Sequence, residues 1–538
     1  MATTLGSGAM TNSINEIVNA NCIFAIGTNT TASHPIIELQ IKQAVQKGAK
    51  LIIANPKRFN LCRFATMWLR LRPGTDLALL MGMMRVIVDE GLFDASFIEE
   101  RTVDFDAFKE SLKEVDLNSV ENITGVPKED IITAARIYAT NKPATILYTM
   151  GITQHTHGTD NVLALSNLAL LTGNIGKPSS GVNPLRGQNN VQGACDMGAL
   201  PYVFPGYQRV DNSEIRQKFE TAWNCKLSSS LGLPLTEMVE AAYEGQIKAM
   251  YIIGSDPVLS MPNAQHVKEA LEKLEFLVVQ DIFLTETAKL AHVILPAASF
   301  AEKDGTFTNT ERRIQLIRKA IEPPGLARPD WVIVCEIAKR LGGKGFDYNH
   351  PAEIMEEISS LTPIYKGVSY KRLEKESLQW PCPDSEHPGT PILYTEKFFT
   401  KDGKARFMPL KYKPSAELPN EEFPFILTTV RSLYHYHGSM TRRVEGLNVL
   451  RANEMLEINP KDAANLGIVD GEMVRVISPR GEVVVQAKIT ENSPVGVVSL
   501  TFHFAECPTN VLTNPALDPV AKTPELKVCA VLIEKLEK

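Results

Sequence analysis

Two stretches of the chain repeat the same order of sequence patterns. The first extends from Gly27 to Asn55, 28 positions apart, and the second from Gly254 to Asp281, 27 positions apart. In each, an apolar run ends in a glycine turn, apolar residues then recur at helical spacing, and a second apolar run ends in a polar side chain. A strand, a helix and a second strand in this order form a right-handed βαβ unit. The repeat therefore predicts two related α/β domains built on parallel sheets.

The repeat also predicts where ligands bind. In open parallel sheets, ligands bind at the carboxyl ends of the strands, where a glycine lets the backbone approach a phosphate or sugar. A carboxylate or amide after the next strand accepts hydrogen bonds from ribose or from a purine edge. Two copies indicate two nucleotide-like ligands, or one ligand with two nucleotide arms. Neither copy contains G-x-G-x-x-G, so standard dinucleotide binding is not indicated. The alternative that both glycines only form tight turns stays open.

Apolar periodicity places the elements of these two domains. Strands are expected at 22–27, 51–54, 145–150, 249–253 and 276–279. Helices are expected at 36–45, 77–88, 128–138 and 267–274.

The last part of the chain has a different pattern, which begins after the proline- and lysine-rich residues 411–424. Short apolar runs between turn residues predict strands at 425–429, 473–477, 483–487 and 497–501, with one small helix at 460–466. This pattern favours a β-barrel or sandwich. With 538 residues, the chain is expected to form three domains, 1–185, 186–410 and 420–538.

Composition excludes several classes of protein. Apolar residues make up 44% of the chain and charged residues 22%, which excludes a disordered or fibrous protein. The net charge of −6 argues against a general nucleic-acid binder, which would carry a basic excess. No run of about 18 uncharged apolar residues is present, and the first residues show no signal-peptide pattern. We therefore expect a cytoplasmic protein without a membrane span.

The cysteines and histidines show no metal-binding spacing. None of the eight cysteines forms a C-x-x-C pair, which argues against zinc and iron–sulfur motifs. The ten histidines contain no H-E-x-x-H. We therefore expect reduced, mostly buried cysteines and no metal ligand among the residues of this chain.

The segment 172–198, TGNIGKPSSGVNPLRGQNNVQGACDMG, is the strongest candidate for chemistry. It contains six glycines, four asparagines and two glutamines, but only one acidic and two basic residues. A long loop of this composition cannot build its own core and is usually functional or disordered. Arg186 lies at its centre, and a guanidinium there suits bidentate binding of a small carboxylate. The alternative is a flexible surface loop with a solvated arginine.

Weaker candidates each allow two interpretations. His155, His157 and His503 are either acid–base groups or structural histidines. Cys195 has no evident partner, so packing is favoured over a nucleophilic role. The arginine pair at 312–313 either binds a phosphate or is solvated.

The segment 150–198 begins with MGITQHTHGTDN at 150–161 and ends with RGQNNVQGACDMG at 186–198. It closely resembles the molybdopterin oxidoreductases, and within that group the catalytic subunits of formate dehydrogenases. The resemblance covers essentially the whole chain. GTNTTASHP at 27–35, NPKR at 55–58 and LRPGTDLAL at 71–79 are similar to the family's first pterin-dinucleotide site. GSDP at 254–257, the segment 278–313 and PDW at 329–331 are similar to its second site. EINPKDAANLGIVDGEMVRV at 457–476 and TNPALDPVAKTPELK at 513–527 are similar to its C-terminal barrel.

The resemblance implies a fold, a cofactor and an activity. The fold is α/β, with two related Rossmann-like parallel-sheet domains and a C-terminal six-stranded, double-psi-like β-barrel. The cofactor is one molybdenum or tungsten ion held by two molybdopterin guanine dinucleotides, one per α/β domain. The reaction is oxidation of formate to carbon dioxide, with electrons passed to an iron–sulfur chain. The partners are formate and an electron-transfer component, either an iron–sulfur, flavin or NAD subunit, a hydrogenase or a ferredoxin.

The family's functional residues can be carried onto matching positions of this chain. For the first dinucleotide these are Asn29, Ser33, Asn55, Lys57, Gly74, Asp76, Gly151 and Gln154. For the second they are Gly254, Asp256, Gln280, Asp281 and Thr285. The barrel residues that would close over the pterins are Arg431, His437, Asn510 and Lys527. Arg186 matches the arginine that orients formate, with Gln188 as a second catalytic residue and Gly187 beside it at the pterin face.

One departure from the family concerns the start of the sequence. Family members carry an N-terminal [4Fe–4S] domain with four cysteines, then a cysteine or selenocysteine that ligates the metal, followed by a histidine. This sequence begins with MATTLGSGAM, which resembles the family shortly after that pair. We therefore expect a longer natural chain interrupted at a selenocysteine codon, and an inactive product when the 538 residues are made alone.

Three alternatives stay open from the sequence. The chain could be another oxidoreductase of the group, such as a nitrate reductase. It could be a non-catalytic structural subunit with the same fold, or a truncated chain that misfolds.

Overall fold

Five parallel strands form the sheet of the first α/β region, in a computed structural model that describes residues 1–536. Their order across the sheet is Met67–Leu69, Lys50–Ala54, Cys22–Ile26, Ala144–Tyr148 and Gly181–Pro184. The two central strands are buried along their whole length, as in parallel sheets covered on both faces. The strands expected at 22–27, 51–54 and 145–150 are confirmed. The order of the strands along the chain reverses between Cys22–Ile26 and Ala144–Tyr148, which is where such sheets bind ligands.

Helices surround this sheet and bury its apolar faces. Most residues of Asp76–Asp89 are buried, which agrees with the apolar run at 77–88. The other α-helices of residues 1–185 are Ala2–Leu5, Thr30–Ser33, Pro35–Gln46, Ala95–Arg101, Phe105–Leu112, Leu117–Thr124, Lys128–Thr140, Met150–Thr153 and Gly158–Leu171. The helices expected at 36–45 and 128–138 are therefore confirmed.

The second α/β region has a smaller parallel sheet. Phe276–Asp281 lies between Ala249–Ile253 and Val293–Pro296, and both pairings are parallel. The strands expected at 249–253 and 276–279 are confirmed. Further along the chain, an antiparallel sheet consists of Gly305–Thr308, Arg313–Ile317 and Leu378–Gln379. The α-helices of residues 186–391 are Val191–Asp196, Ser213–Trp223, Leu235–Tyr243, Pro257–Ser260, Ala264–Glu272, Asp330–Arg340, Pro351–Leu361 and Tyr370–Leu373.

The internal repeat is visible in one backbone hydrogen bond. The N–H of Gly27 donates to the carbonyl of Ala54 at 3.0 Å, and the N–H of Gly254 donates to that of Gln280 at 2.8 Å. Both glycines adopt a positive φ, of 56° and 60° respectively. In each region, the glycine after the first strand therefore continues the parallel pairing with the second strand through the same hydrogen bond. This finding confirms the predicted repeat.

The C-terminal region is a closed barrel of six strands. Their order around the barrel is Phe425–Thr429, Val497–Leu500, Met455–Ile458, Gly481–Ile489, Met473–Ser478 and Cys529–Lys535. Its helices are Glu445–Leu450 and Pro460–Leu466. The barrel that the resemblance implied is confirmed, and the sandwich alternative is wrong. The sequence patterns did not indicate two of the six strands. Met455–Ile458 was missed because a charged residue interrupts its apolar run, and Cys529–Lys535 because no turn signal follows it.

Short elements complete the fold. Two-residue strands pair in two places, Thr102–Val103 with Ala405–Arg406 and Val203–Phe204 with Gln208–Arg209. Turns of 3₁₀ helix lie at Ile14–Asn19, Asn60–Phe64, Ala288–Leu290, Phe300–Glu302, Pro363–Tyr365, Met440–Arg443 and Thr509–Val511. The eight cysteines are all free thiols. Within residues 1–536, no helix has the length and apolar character needed to cross a bilayer.

The chain divides into two compact units. The first contains residues 1–185, 257–267 and 392 onward, and so includes both the five-stranded sheet and the barrel. The second contains residues 186–256 and 268–391, with the smaller parallel sheet. The three expected domains, 1–185, 186–410 and 420–538, stay a prediction.

Candidate functional site

Two backbone segments pass unusually close to each other at the edge of the first sheet where its strands have their carboxyl ends. Gly27 follows the strand Cys22–Ile26, and Gly151 follows the strand Ala144–Tyr148 in the helix Met150–Thr153. The N–H of Gly151 donates to the carbonyl of Gly27 at 3.1 Å. A Cβ on Gly151 would lie 2.5 Å from that carbonyl oxygen. No side chain fits between the two segments, so this close approach requires glycine at both positions.

Asn29, Ser33 and Asn55 lie along the same edge, as the resemblance implied. Asn29 caps the short helix Thr30–Ser33, and Ser33 is the last residue of that helix. The side-chain amide of Asn55 donates to the carbonyl of Thr28 at 3.1 Å. These contacts hold the two turns together, one after each of two neighbouring strands.

Lys57 connects the sheet edge to the barrel. Its ammonium group donates to Glu457 Oε2 at 2.6 Å and to Ser499 Oγ at 2.9 Å. Burial acts to raise the pKa of Glu457, but the charge of Lys57 and its hydrogen bond outweigh burial, and the pKa is lowered. The sequence patterns gave no indication of Glu457 or Ser499, which lie 400 and 442 positions further along the chain.

A buried group of titratable side chains lies beneath this edge. Burial raises the pKa of Asp76 to about 6, and the nearby charge of His155 opposes the rise. His155 Nε2 is 4.0 Å from Asp76 Oδ2, and His155 Nδ1 is 3.8 Å from Glu525 Oε1. The ring of His157 stacks on His155, with centroids 5.2 Å apart. Burial lowers the pKa of His157 to about 4, so this ring is neutral at physiological pH. The burial of both histidines favours the structural interpretation.

Gly74 and Gln154 lie close to this group. Gly74 precedes Asp76 by two positions, and a Cβ on it would lie 2.4 Å from Ser415 Oγ. Gln154 ends the helix Met150–Thr153 and is only 9% exposed.

The barrel contributes a group of cationic and imidazole side chains. The ammonium group of Lys527 donates to the carbonyl of Thr429 at 2.7 Å. Burial lowers the pKa of His437 well below its usual range, and the charges of Arg431 and Lys527 lower it further. Burial also lowers the pKa of Arg431. Three of the four barrel residues that the resemblance named are therefore close enough to act on one another. A buried set of like charges favours binding of an anion.

The fourth barrel residue, Asn510, has a structural contact. Its side-chain amide donates to the carbonyl of Leu259 at 2.8 Å, and its oxygen accepts from the Thr513 hydroxyl at 3.1 Å.

Several buried polar atoms in residues 1–536 have no hydrogen-bond partner. In the first unit they include Thr28 Oγ1, Thr31 Oγ1, Gln154 Oε1, Arg431 Nε and His437 Nδ1. Buried polar atoms normally have a partner, so a polar group bound beside these atoms would satisfy them. Gln154, Arg431 and His437 are residues that the resemblance assigned to the first dinucleotide or to the barrel. Thr28 and Thr31 lie within two positions of such residues along the chain. The residues present therefore fit a phosphate-bearing pterin dinucleotide.

Lys527 provides a test of this desolvated site. Burial lowers its pKa from 10.5 to about 8. Below about pH 8 both the folded and the unfolded state hold the proton, and the folded state bears the full cost of desolvation. As pH rises towards 10.5, only the unfolded state keeps the proton, so that cost is relieved. The stability difference between wild type and Lys527→Met is expected to shift by about 3 kcal/mol in favour of wild type over this range.

Denaturant titrations of the cofactor-free chain at several pH values measure this shift. Lys535→Met is the matched control, because the Lys535 ammonium group also donates to a backbone carbonyl, that of Gly467 at 2.6 Å, but lies exposed. Its stability difference is expected to stay constant. A constant difference for Lys527→Met as well would show that Lys527 is not desolvated.

The second unit places its predicted ligand-binding residues at one edge of its sheet. Gly254 follows one strand, and Gln280 and Asp281 end the next. Asp256 Oδ1 accepts from the backbone N–H and the hydroxyl of Thr287 at 3.0 and 2.6 Å.

The side chains at this edge are held by hydrogen bonds within the unit. Gln280 Nε2 donates to Asp330 Oδ1 at 2.7 Å, and Gln280 Oε1 accepts from the hydroxyl of Tyr251. Asp281 Oδ1 accepts from the N–H of Ile282 at 2.7 Å. The hydroxyl of Thr285 accepts from the N–H of Ala288 at 3.1 Å.

The glycine- and amide-rich loop is ordered around Arg186. The backbone N–H of Arg186 donates to Thr310 Oγ1 at 3.0 Å, and its Nε donates to Gln192 Oε1 at 2.7 Å. Gly187 and Gln188 are exposed beside it. The flexible-loop alternative is therefore wrong for Arg186, because both its backbone and its side chain are anchored.

Behind Arg186 lies a buried carboxylate that the sequence patterns did not indicate. Asp196 is fully buried and accepts hydrogen bonds from Gln192, Tyr207, Tyr365 and Trp380. Burial raises its pKa, and these four hydrogen bonds oppose the rise. Gln192 and Asp196 are four positions apart in the helix Val191–Asp196, a spacing that could have indicated a shared face. Tyr365 and Trp380 lie 169 and 184 positions away, and no sequence signal connects them to Asp196.

Two weaker candidates are resolved by their surroundings. Burial raises the pKa of Cys195, which favours the packing role over a nucleophilic one. Arg312 is completely buried, and its guanidinium donates to the carbonyls of Thr390 and Pro391 at 2.8 and 2.9 Å. Arg312 therefore supports the backbone and is not solvated.

Comparison with known proteins shows the family to which this chain is similar. Residues 2–340 match the family model "Molybdopterin oxidoreductase", and residues 425–530 match "Molydopterin dinucleotide binding domain". The chain is 52% identical to the F420-dependent formate dehydrogenase subunit alpha of Methanocaldococcus jannaschii, covering 100% of this chain and 80% of the relative. It is 41% identical to formate dehydrogenase H of Escherichia coli, covering 99% and 75%. Acetylene hydratase from Pelobacter acetylenicus has a similar fold, with a TM-score of 0.79 and 22% identity over 99% of this chain and 80% of that one.

Proposed function

The chain belongs to the molybdopterin oxidoreductase family, and on that premise we propose that it is the catalytic subunit of a formate dehydrogenase. The observation that carries the proposal is 41–52% identity, over essentially the whole chain, to proteins named as formate dehydrogenases. The fold alone does not carry it, because acetylene hydratase has a similar fold and a different reaction. The chain would convert formate to carbon dioxide, with release of two electrons.

The two units would each hold one arm of the cofactor. Asn29, Asn55 and Gln154 would bind one guanine dinucleotide at the edge of the first sheet, and Asp256 and Asp281 the other at the edge of the second. Arg431, His437 and Lys527 would neutralise phosphate charge from the barrel. When bound, the molybdenum or tungsten centre supplies the two-electron redox chemistry that no side chain of this chain can supply.

Arg186 would bind and orient formate. A guanidinium presents N–H groups in a planar fork that matches the two oxygens of a carboxylate. Such a charge-assisted pair contributes about 1.5–3 kcal/mol. Its greater effect is on orientation, because both oxygens are held and the C–H bond then points in one direction only. Gln188, two residues further along and exposed, would be the second group at the substrate.

The electrons would pass through an iron–sulfur chain to a partner subunit. The relatives at 47–52% identity are named F420-dependent formate dehydrogenases. We therefore propose coenzyme F420, reached through that partner subunit, as the physiological acceptor.

Assay of the native complex, purified anaerobically from its source, tests the proposed function. Formate is expected to reduce a viologen dye and F420, and the purified protein is expected to contain molybdenum or tungsten and to release guanylate on hydrolysis. Nitrate reduction without formate oxidation would contradict the proposal in favour of a nitrate reductase. Absence of both metals and of guanylate would instead identify a non-catalytic subunit.

A further inference from the structure

Four groups donate hydrogen bonds to Asp196, which indicates that its carboxylate is the ionised acceptor. An ionised carboxylate accepts but cannot donate, and the indole N–H of Trp380 donates but cannot accept. Trp380 Nε1 donates to Asp196 Oδ2 at 2.7 Å, and the hydroxyl of Tyr365 donates to the same oxygen at 2.7 Å. Because Tyr365 uses its proton there, Thr308 must donate to the Tyr365 oxygen, 2.9 Å away. Asp196 Oδ2 therefore accepts two hydrogen bonds, neither of which involves Gln192.

The other carboxylate oxygen determines which way the amide of Gln192 points. Gln192 Nε2 donates to Asp196 Oδ1 and to the hydroxyl of Tyr207, both at 2.8 Å. Tyr207 in turn donates its own proton to Asp196 Oδ1 at 2.8 Å. The amide nitrogen of Gln192 therefore lies on the side of Asp196 and Tyr207. A flipped amide would place its oxygen against a carboxylate and its N–H groups against a guanidinium, which is unfavourable at both ends.

The amide oxygen of Gln192 must therefore face Arg186. Gln192 Oε1 accepts from Arg186 Nε at 2.7 Å, while the Arg186 backbone is held by Thr310. Gln192 and Asp196 are both completely buried, so water does not compete for these hydrogen bonds. The guanidinium is planar, and fixing its Nε–H fixes the plane and direction of the whole fork.

We propose that Gln192 is a positioning residue that orients the Arg186 guanidinium for an anionic two-oxygen substrate, and that Asp196 orients Gln192. This inference rests on the proposed function only in naming that substrate as formate. The hydrogen-bond chain Asp196, Gln192, Arg186 is a property of the second unit alone.

Gln192→Met tests the proposal in the holoenzyme, because methionine has a similar length but cannot form these hydrogen bonds. The KM for formate is expected to rise about tenfold, which is the loss of one charge-assisted hydrogen bond, with kcat changed less than about threefold. Nitrite has the charge and bent two-oxygen shape of formate but no C–H bond. Its Kd, measured by calorimetry, is expected to rise by the same factor as KM. Tyr207→Phe removes one support of Gln192, and a rise of about threefold in both quantities is expected.

Gln379→Met is the matched control. Gln379 is also a buried glutamine of the second unit, its oxygen accepts from Arg313 at 2.8 Å, and its amide donates to the Glu311 carbonyl at 2.8 Å. Its replacement costs similar stability but is expected to leave KM and the nitrite Kd unchanged. If Gln192 had only a structural role, Gln192→Met and Tyr207→Phe would lower the fraction of active enzyme and therefore kcat. The KM for formate and the Kd for nitrite would then stay unchanged in both variants. That result would overturn the proposal.

The same measurements separate this proposal from the proposed function. If wild type binds nitrite, Gln192→Met weakens that binding tenfold, and formate is not oxidised, then Gln192 positions Arg186 and the assignment of formate is wrong. If formate is oxidised and neither quantity changes in the two variants, the assignment stands and the positioning role is wrong.

Discussion

Arg186→Lys is expected to lower kcat/KM for formate at least about 100-fold in the holoenzyme, chiefly through a higher KM. Lysine keeps the positive charge, but its ammonium group is a point charge on a flexible stem and cannot hold both oxygens of a carboxylate in one plane. It also lacks the Nε–H that Arg186 donates to Gln192 Oε1 at 2.7 Å, so this hydrogen bond no longer sets its direction. A loss of this size corresponds to about 2.7 kcal/mol of transition-state stabilisation.

Arg313→Lys is the control for this prediction. Arg313 is also partly buried in the second unit, and it donates to Glu311 and Gln379, both at 2.8 Å, so the same substitution there removes a comparable fork. Its kcat/KM is expected to remain within about threefold of wild type, because the guanidinium of Arg313 is held by Glu311 and Gln379 and is not assigned to the substrate. Steady-state assays with formate, after matching metal content between variants, measure both. An unchanged kcat/KM in Arg186→Lys would remove Arg186 from substrate binding.

Local sequence patterns predicted the elements of the two α/β regions well. Cys22–Ile26 and Phe276–Asp281 are apolar runs ended by a turn, and such runs have few alternatives inside a large chain. The second repeat ends at Asp281 and so indicated a polar side chain at the carboxyl edge, whereas the family resemblance named Asp256 and Gln280. The role of Arg186 could be suggested because its loop is too polar to fold by itself.

The contacts that support the site could not be predicted in the same way. Lys57 meets Glu457, and Asp196 meets Trp380, across separations of 400 and 184 positions. Each partner has an ordinary local sequence, and only the closure of the barrel or the pairing of distant strands brings it into place. The complete burial of Arg312 had no signal either, since an arginine is buried only when backbone carbonyls are available from elsewhere in the fold.

The internal repeat provides two equivalent glycines, Gly27 and Gly254, whose replacement tests how the first sheet edge is packed. Gly27→Ala is expected to destabilise the strand Cys22–Ile26 by about 3–5 kcal/mol, from a left-handed φ of 56° and from overpacking. A Cβ there would lie 2.8 Å from the backbone of Gly151, which cannot move without disrupting the edge. Hydrogen exchange at the amides of that strand measures the free energy of opening.

Gly254→Ala isolates the contribution of that contact. Gly254 occupies the matching turn of the second region with a φ of 60°, but a Cβ there would meet no atom of the described chain within 4 Å. Only the backbone cost of about 1–2 kcal/mol is then expected at Ala249–Ile253. The difference between the two variants therefore measures the close approach of Gly27 and Gly151. Equal effects at both glycines would mean that the first edge tolerates a side chain between its two turns. The close approach of the Gly27 and Gly151 backbones would then not be what keeps side chains out of this edge, where we propose that a dinucleotide binds.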